Sequence, residues 1–242
     1  MTAFVTGGSG EIGRAICISM AEIGCDVCVC YNSDKESAEK TVREIASKGQ
    51  NAIAVKCDIT DITSIDEAVS QCENSLGKIN ILINNAGVSD INLFTQISSE
   101  RMNYIINSNL TGAMNAARRV LAQMINVKSG CIINISSMWG EVGASCEVVY
   151  SAAKAGLIGF TKALAKEVGL SGIRVNCITP GMIDTKMNSE LSQEDIEAVV
   201  EDIPLSRIGT PKDVAQAAAF LASENASYIT GAVLKVNGGL CI

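Results

Sequence analysis

The sequence predicts a doubly wound α/β domain, and three observations lead to that expectation. Short apolar runs suited to strands alternate from end to end with segments of helical periodicity. The strand-like runs are apolar throughout rather than at every second position, as strands covered on both faces must be. No Pro/Ser-rich linker, low-complexity tract or internal repeat divides the 242 residues. About seven mostly parallel strands with helices on both faces, in a single domain spanning 1–242, is the expected architecture.

The elements follow in order. Ala3–Thr6 is a short apolar run leading into glycines. Ile12–Ile23 repeats Ile12, Ile16, Met20 and Ile23 at helical spacing and stops at Gly24. Asp26–Tyr31 reads as the second strand. Ser33-Asp34-Lys35-Glu36 has the form of a capping box opening a helix to about Lys48, closed by Gly49. Ala52–Cys57 predicts a strand, about Ser64–Leu76 a helix, and Ile79–Ile83 a fully apolar strand. A long helical stretch runs from about Glu100 to Asn126, followed by strand Cys131–Ser136, helix Val149–Leu170 and strand Arg174–Ile178. Thr210-Pro211-Lys212-Asp213 joins a cap, a first-turn Pro and an acid at the third position, a strong helix start. Val233–Val236 closes the set.

Composition narrows the chemistry. The chain has no His, which excludes Ser-His-Asp and Cys-His nucleophiles and any zinc site built on imidazole. Proton transfer near neutral pH must then come from a side chain whose pKa has been shifted there. A formal net charge of −7 opposes phosphate backbones, so no nucleic-acid partner is expected. No apolar run approaches the ~18 residues of a membrane span. The N-terminus enters a strand at once, without a basic region or cleavable signal. No membrane association is expected, and a cytoplasmic protein is. Of the ten Cys, the group Cys25, Cys28 and Cys30 invites a metal or redox reading, yet no second ligand pair stands at metal spacing. Structural thiols in a reducing compartment, and no metal, are the expectation.

Between the first strand and first helix lies Thr6-Gly7-Gly8-Ser9-Gly10-Glu11-Ile12-Gly13-Arg14. Glycines there permit a tight turn and close backbone approach, and a helix N-terminus attracts a diphosphate, so a dinucleotide is expected against this loop. At the second strand's end stand Asn32 and Ser33, and the first acid, Asp34, comes late. Asn32 and Ser33 can donate to a 2′-phosphate, with Arg14 or Lys35 supplying charge. This pattern favours NADP(H) over NAD(H). Further on, Tyr150 and Lys154 stand one helical turn apart on one face.

These motifs resemble the short-chain dehydrogenase/reductase family. Gly7 and Gly13 match the first and third glycines of its loop, whereas the middle glycine falls on Glu11, with Gly10 one place earlier. Glu11 is expected to face outward and Gly10 to carry the flexibility. Asp58-Ile59 matches the family's adenine-contacting pair, and Asn84-Asn85-Ala86-Gly87 its motif near the cofactor. Ser137, 13 residues before Tyr150, and Asn109, 41 before it, complete an Asn-Ser-Tyr-Lys tetrad, with Pro180-Gly181 after the next strand. The resemblance implies a carbonyl reductase. Tyr150 would protonate the carbonyl oxygen, with its pKa lowered by Lys154 and a cationic nicotinamide. Ser137 would hydrogen-bond the same oxygen, and Asn109 would hold a water linking Lys154 to solvent, helped by a helix interruption around Asn107–Asn109. Cofactor contacts are expected from Gly7, Ser9, Gly10, Ile12, Gly13, Asn32 and Ser33 on one side. Asp58, Ile59, Asn85, Ala86 and Gly87 follow, then Tyr150, Lys154, Pro180, Gly181, Ile183 and Thr185.

The C-terminal part, Phe220–Gly231 with Val236-Asn237-Gly238-Gly239, looks like the bacterial 3-oxoacyl-acyl-carrier-protein reductases. That branch implies fatty-acid chemistry, a homotetramer paired through the long helices, and an acyl carrier protein as partner. Lys128 stands at one of its basic docking places, but Ser171 occupies the other. The lid expected at about 184–205 holds seven acids between Asp184 and Asp202 against Lys186 alone, a field that opposes an acidic partner. A solvated helix face is the plainer reading of those acids. Trp139, Cys146 and Glu147 look more like reductases acting on 5-aminopentanone-modified elongation factor P, in which Glu147 could pair with a substrate ammonium. A small-ketone, polyol or steroid dehydrogenase stays open. A non-catalytic scaffold on this fold predicts a damaged tetrad, and the tetrad is intact.

Overall fold

The computed structural model describes residues 1–186 and 192–242. Its strands are β1 (Thr2–Val5), β2 (Asp26–Tyr31), β3 (Ala52–Lys56), β4 (Ile79–Asn84), β5 (Gly130–Ile135), β6 (Ile173–Pro180) and β7 (Val233–Val236). They form one sheet in the order β3-β2-β1-β4-β5-β6-β7, with every neighbouring pair parallel. The chain winds outward from β1 to β3, then returns across β1 to wind the other way from β4. That reversal opens a crevice beyond the C-terminal ends of β1 and β4, where ligands of such sheets bind.

Side chains of the strands alternate between two apolar layers, which explains why the runs are apolar at every position. Val5, Val29, Ile83 and Ile133 face α1 (Glu11–Glu22), α2 (Lys35–Ser47) and α9 (Pro211–Ala222). Phe4, Cys28, Leu82 and Ile132 face α3 (Ile62–Leu76), α5 (Gly112–Val127) and α7 (Val148–Val168). Under α5 and α7 the second layer carries a polar seam. Asn84 donates to Asn134 at 2.9 Å, and Asn134 donates to Thr161 at 2.8 Å, both bonds fully buried. These bonds tie β4, β5 and α7, the elements that bear the candidate catalytic residues, into one unit.

Several expectations change in detail. α2 begins at Lys35 with Asp34 as its cap, accepting from the Ser37 N–H at 2.9 Å, so Ser33 and Glu36 form no capping box. Asp is as good a cap as Ser and stands one residue nearer the helix. α3 starts at Ile62, two residues before the expected Ser64, because Asp61 caps it. The long helix from Glu100 is two helices, α4 (Ser99–Ile106) and α5, joined by a π turn at Asn107–Thr111. There the Gly112 N–H reaches back five residues to Asn107. Gly112 fits because a Cβ would sit 2.4 Å from the Ile59 carbonyl, so the loop after β3 presses directly on the turn. The loop before Tyr150 contains a short helix, α6 (Trp139–Val142). In the expected lid, α8 (Gln193–Asp202) is helical, whereas 187–191, Glu190 among them, lie outside the described residues.

Eight cysteines are buried and Cys146 and Cys241 half-buried, all as free thiols. Among the described residues no group of three or more potential ligands could hold a metal ion, and no helix is long and apolar enough to cross a membrane. Asn134→Ala should lower unfolding stability by about 2 kcal/mol in urea titration, because Asn84 and Thr161 lose a buried partner.

Candidate active site

The glycine loop is shaped by close approach. Gly7 takes φ of +64°, and a Cβ there would meet Ala86 Cα at 2.9 Å. A Cβ on Gly13 would lie 2.1 Å from the Gly7 carbonyl oxygen, so the first turn of α1 packs against the loop with no side chain between them. The flexibility expected of Gly10 therefore sits at Gly7. Gly10 has an ordinary φ of −76°, caps α1, and has room for a Cβ. Glu11 is exposed, as expected, and its carboxylate accepts the main-chain N–H of Lys186 at 2.6 Å. Thr6, which sequence reasoning passed over, fastens this loop to the one after β4. Its hydroxyl accepts from the N–H groups of Asn85 and Ala86 at 2.9 and 3.0 Å. Asn85 in turn donates to the carbonyls of Thr6 and Gly7, both at 3.1 Å.

A cleft of about 640 Å³ runs over this loop along the C-terminal ends of β1 to β4. Gly7, Ser9, Gly10, Ile12 and Gly13 form its floor, and Asn32 and Ser33 one end. Asp58 and Ile59 line a side, while Asn85, Ala86, Gly87 and Thr185 complete the lining among the expected residues. Pro180, Gly181 and Ile183 lie outside it. Ile183 is 3% exposed with its side chain in the core, and the bonds of its bridge to Gly209 are made by the main chain of Met182 and Asp184, so a contact from Ile183 to a ligand would come from its main chain.

The cations are arranged differently from the expectation. Arg14 lines the cleft but is paired with Glu44, and Lys35 is off the cleft and paired with Glu39 at 3.5 Å. Lys40 and Lys186 are the lysines on the wall. Lys40 could have been found from its spacing: Ser37 and Lys40 stand three apart on one face of α2.

The tetrad lies next to Gly87, outside the cleft lining, so Tyr150 and Lys154 are not among the residues that form its walls. Lys154 is 4% exposed and its ammonium donates to the Ile135 carbonyl at 2.9 Å, 5.5 Å from the centre of the Tyr150 ring. Burial pulls its pKa down to about 8, against a smaller opposing effect of Cys177. Burial pushes Tyr150 up to about 12; a hydrogen bond with Ser137 pulls the other way and the charge of Glu147 adds to the rise. The lowering expected for Tyr150 is thus not produced by the chain on its own, since the ammonium is turned to a carbonyl and lies over the ring. Asn109 is 1% exposed, and its amide donates to Val88 and Ile105 at 2.7 and 2.9 Å. Its Oδ1 has no protein partner. Gly87 lies between the two groups: a Cβ there would come 2.5 Å from Asn109 Oδ1 and 3.3 Å from Lys154 Nζ. Glu147, beside Tyr150, accepts a hydrogen bond from Ser89.

A doubly wound sheet with a glycine cradle at its crevice and a half-buried Tyr150 beside the buried Lys154 defines an oxidoreductase working on CH–OH and C=O groups. Comparison with known proteins agrees. A family model described as Enoyl-(Acyl carrier protein) reductase matches residues 8–241. The chain is 40% identical over 239 residues to the 3-oxoacyl-[acyl-carrier-protein] reductase FabG of Staphylococcus aureus, covering 99% of this chain and 97% of that one. It is 41% identical over 242 residues to the FabG of Chlamydia trachomatis, with coverage of 99% and 96%. A crystal structure from Agrobacterium tumefaciens, given the assignment gluconate dehydrogenase, superposes with a TM-score of 0.95 at 32% identity, covering 100% and 96%. The chain belongs to the short-chain dehydrogenase/reductase family.

Lys154 offers a test of the buried ammonium. Its folded pKa lies below its unfolded one, so between about pH 10.5 and pH 8 the unfolded chain binds the extra proton, and stability falls as pH drops through that window and levels off below it. Lys154→Met should raise stability by about 2 kcal/mol at pH 7, with the gain vanishing above about pH 10.5. Denaturant titration across that range checks it.

Proposed function

We propose that this chain is an NADPH-dependent reductase of 3-oxoacyl thioesters, with Asn109, Ser137, Tyr150 and Lys154 as its catalytic set. The observation that weighs most is the chain of neighbours at the end of the cleft: Asn109 and Lys154 flank Gly87, the Lys154 ammonium lies over the Tyr150 ring, and Tyr150 is hydrogen-bonded with Ser137. The cradle fits a dinucleotide: Gly7 and Gly13 leave main chain bare where a Cβ would collide, and α1 points its N-terminus at the floor. A bound nicotinamide supplies the hydride. Tyr150, whose raised pKa keeps the phenol protonated at neutral pH, gives its proton to the carbonyl oxygen. Ser137 donates to the same oxygen and stabilises the charge that grows there. Lys154 holds positive charge beside the Tyr150 ring and favours the phenolate that remains. The free Oδ1 of Asn109 suits a water that returns the proton to Lys154.

NADPH rather than NADH follows from the wall at Asn32 and Ser33, which carries donors and, through Lys40, a cation. The lid acids oppose an acidic carrier less than their number suggests. Asp195 closes the capping box of α8 with Ser192, and Glu194 and Glu197 are exposed. Lys128 and Ser171 precede β5 and β6, at the sheet edge opposite the cleft and about 20 Å away along a six-residue strand. A homotetramer joined through α7 is supported by the small residues Ala152, Ala155, Gly159 and Ala163, which stand at helical spacing on its exposed surface alongside Val148, Lys162, Lys166 and Glu167. The position of Glu147 near Tyr150 supports a second reading, reduction of a ketone bearing an ammonium group, as on modified elongation factor P.

NADPH oxidation with acetoacetyl-CoA, small ketones and aminoketones tests these readings side by side. Thioester turnover is expected, with Tyr150→Phe slowing it by at least about 100-fold. Full activity in that variant overturns the mechanism, and turnover of aminoketones alone selects the second reading. Lys40→Ala should raise KM for NADPH about fivefold and leave KM for NADH unchanged. An equal effect on both places the 2′-phosphate elsewhere.

A further inference from the structure

Glu11 stands where the family's loop has its middle glycine, and it is held by a residue 175 positions away, the main-chain N–H of Lys186. Both residues line the cleft. On the wall beside Asn32 and Ser33, Asp34 is held below the usual carboxylate range, by Ser37 first and with the Lys186 ammonium contributing. Lys186 thus links two parts of the lining: its main chain is fastened to the first turn of α1, and its charge reaches Asp34.

An acid at the first turn of α1 is well placed toward the helix dipole. Toward a diphosphate bound at the same N-terminus it is repulsive, unless it is engaged elsewhere. Engagement by Lys186 resolves the conflict in two ways: the carboxylate is hydrogen-bonded away from the loop, and a positive charge arrives with its partner. We propose that Glu11 is a positioning residue that clasps the main chain at Lys186, so that the Lys186 ammonium lies across the cleft as counter-charge to the phosphates of the bound dinucleotide. The proposal rests on the cofactor reading given above. It assigns cofactor affinity to a contact between the loop and the start of the expected lid.

The sign of one substitution separates this from a bare acid beside a diphosphate. Removing a bare acid tightens binding, whereas removing the clasp weakens it. NADPH titrations followed by nucleotide fluorescence should show Glu11→Ala weakened about fivefold. Glu11→Gln, which keeps an accepting oxygen, should bind at least as well as the wild type. In a Lys186→Ala background, Glu11→Ala should have no further effect. Tighter or unchanged binding by Glu11→Ala overturns the proposal, as does full additivity of the two changes. A second readout needs no cofactor, because Lys186 is itself a trypsin site. Cleavage after it, followed by mass of the 1–186 fragment, should be severalfold faster in Glu11→Ala and unchanged in Glu11→Gln. Equal rates in all three chains overturn the clasp. A wild-type chain that binds neither NADPH nor NADH overturns the cofactor reading and the proposal together, an outcome distinct from a Glu11→Ala chain that binds like the wild type.

Discussion

An ammonium held out of water, with no carboxylate paired to it among the described residues, is the constraint around which the site is organised. Lys154 donates to a main-chain carbonyl, that of Ile135, and a buried charge so placed persists only where its surroundings are over-determined. Those surroundings reach far. The π turn at Asn107–Thr111 brings in Asn109, and Gly87 leaves the gap between that amide and the ammonium. Gly140 lets α6 lie on α7, since a Cβ there would come 2.8 Å from the Lys154 main chain. Ser136 fixes the other side by donating to the Lys154 carbonyl at 2.8 Å. Three loops and two helices are thus spent on one charge.

Local features were legible in the sequence, and the reasons are physical. Strands buried on both faces must be apolar at every position, so the sheet could be read without knowing its order. Tyr150 and Lys154 share a helix face because four residues make about one turn. The interruption around Asn107–Asn109 was expected from resemblance, and the glycine loop from its place between strand and helix. What escaped were properties that depend on partners distant in sequence. Arg14 reads as an available cation until α2 brings Glu44 to it. Gly10 reads as the hinge because the flanking pattern shifts by one, although only Gly7 needs a positive φ. Ile183 belongs to a stretch matched to cofactor contacts, and the sequence does not show that its side chain goes to the core beneath α9.

The fold sets the reaction class without setting the substrate. Relatives named for 3-oxoacyl thioesters and a close structural neighbour assigned to gluconate share this scaffold. The candidate catalytic groups Tyr150 and Lys154 sit on the long helix α7, whereas Glu147 and the acids of α8 stand at a loop and on an exposed helix. Specificity can change there without disturbing the buried charge.

The cysteines of the sheet have a consequence for the chain's lifetime rather than its chemistry. Cys28, Cys30, Cys57 and Cys72 fill the layer between the sheet and α3, where each packs as a small apolar side chain and no oxidant reaches it. Once that layer opens, several thiols from distant parts of the chain enter solvent together, free to cross-link in pairings the native sheet never contains. Under oxidising conditions the unfolded chain is then withdrawn from the equilibrium, and durability is governed by the rate of first opening instead of by the free energy of the folded state.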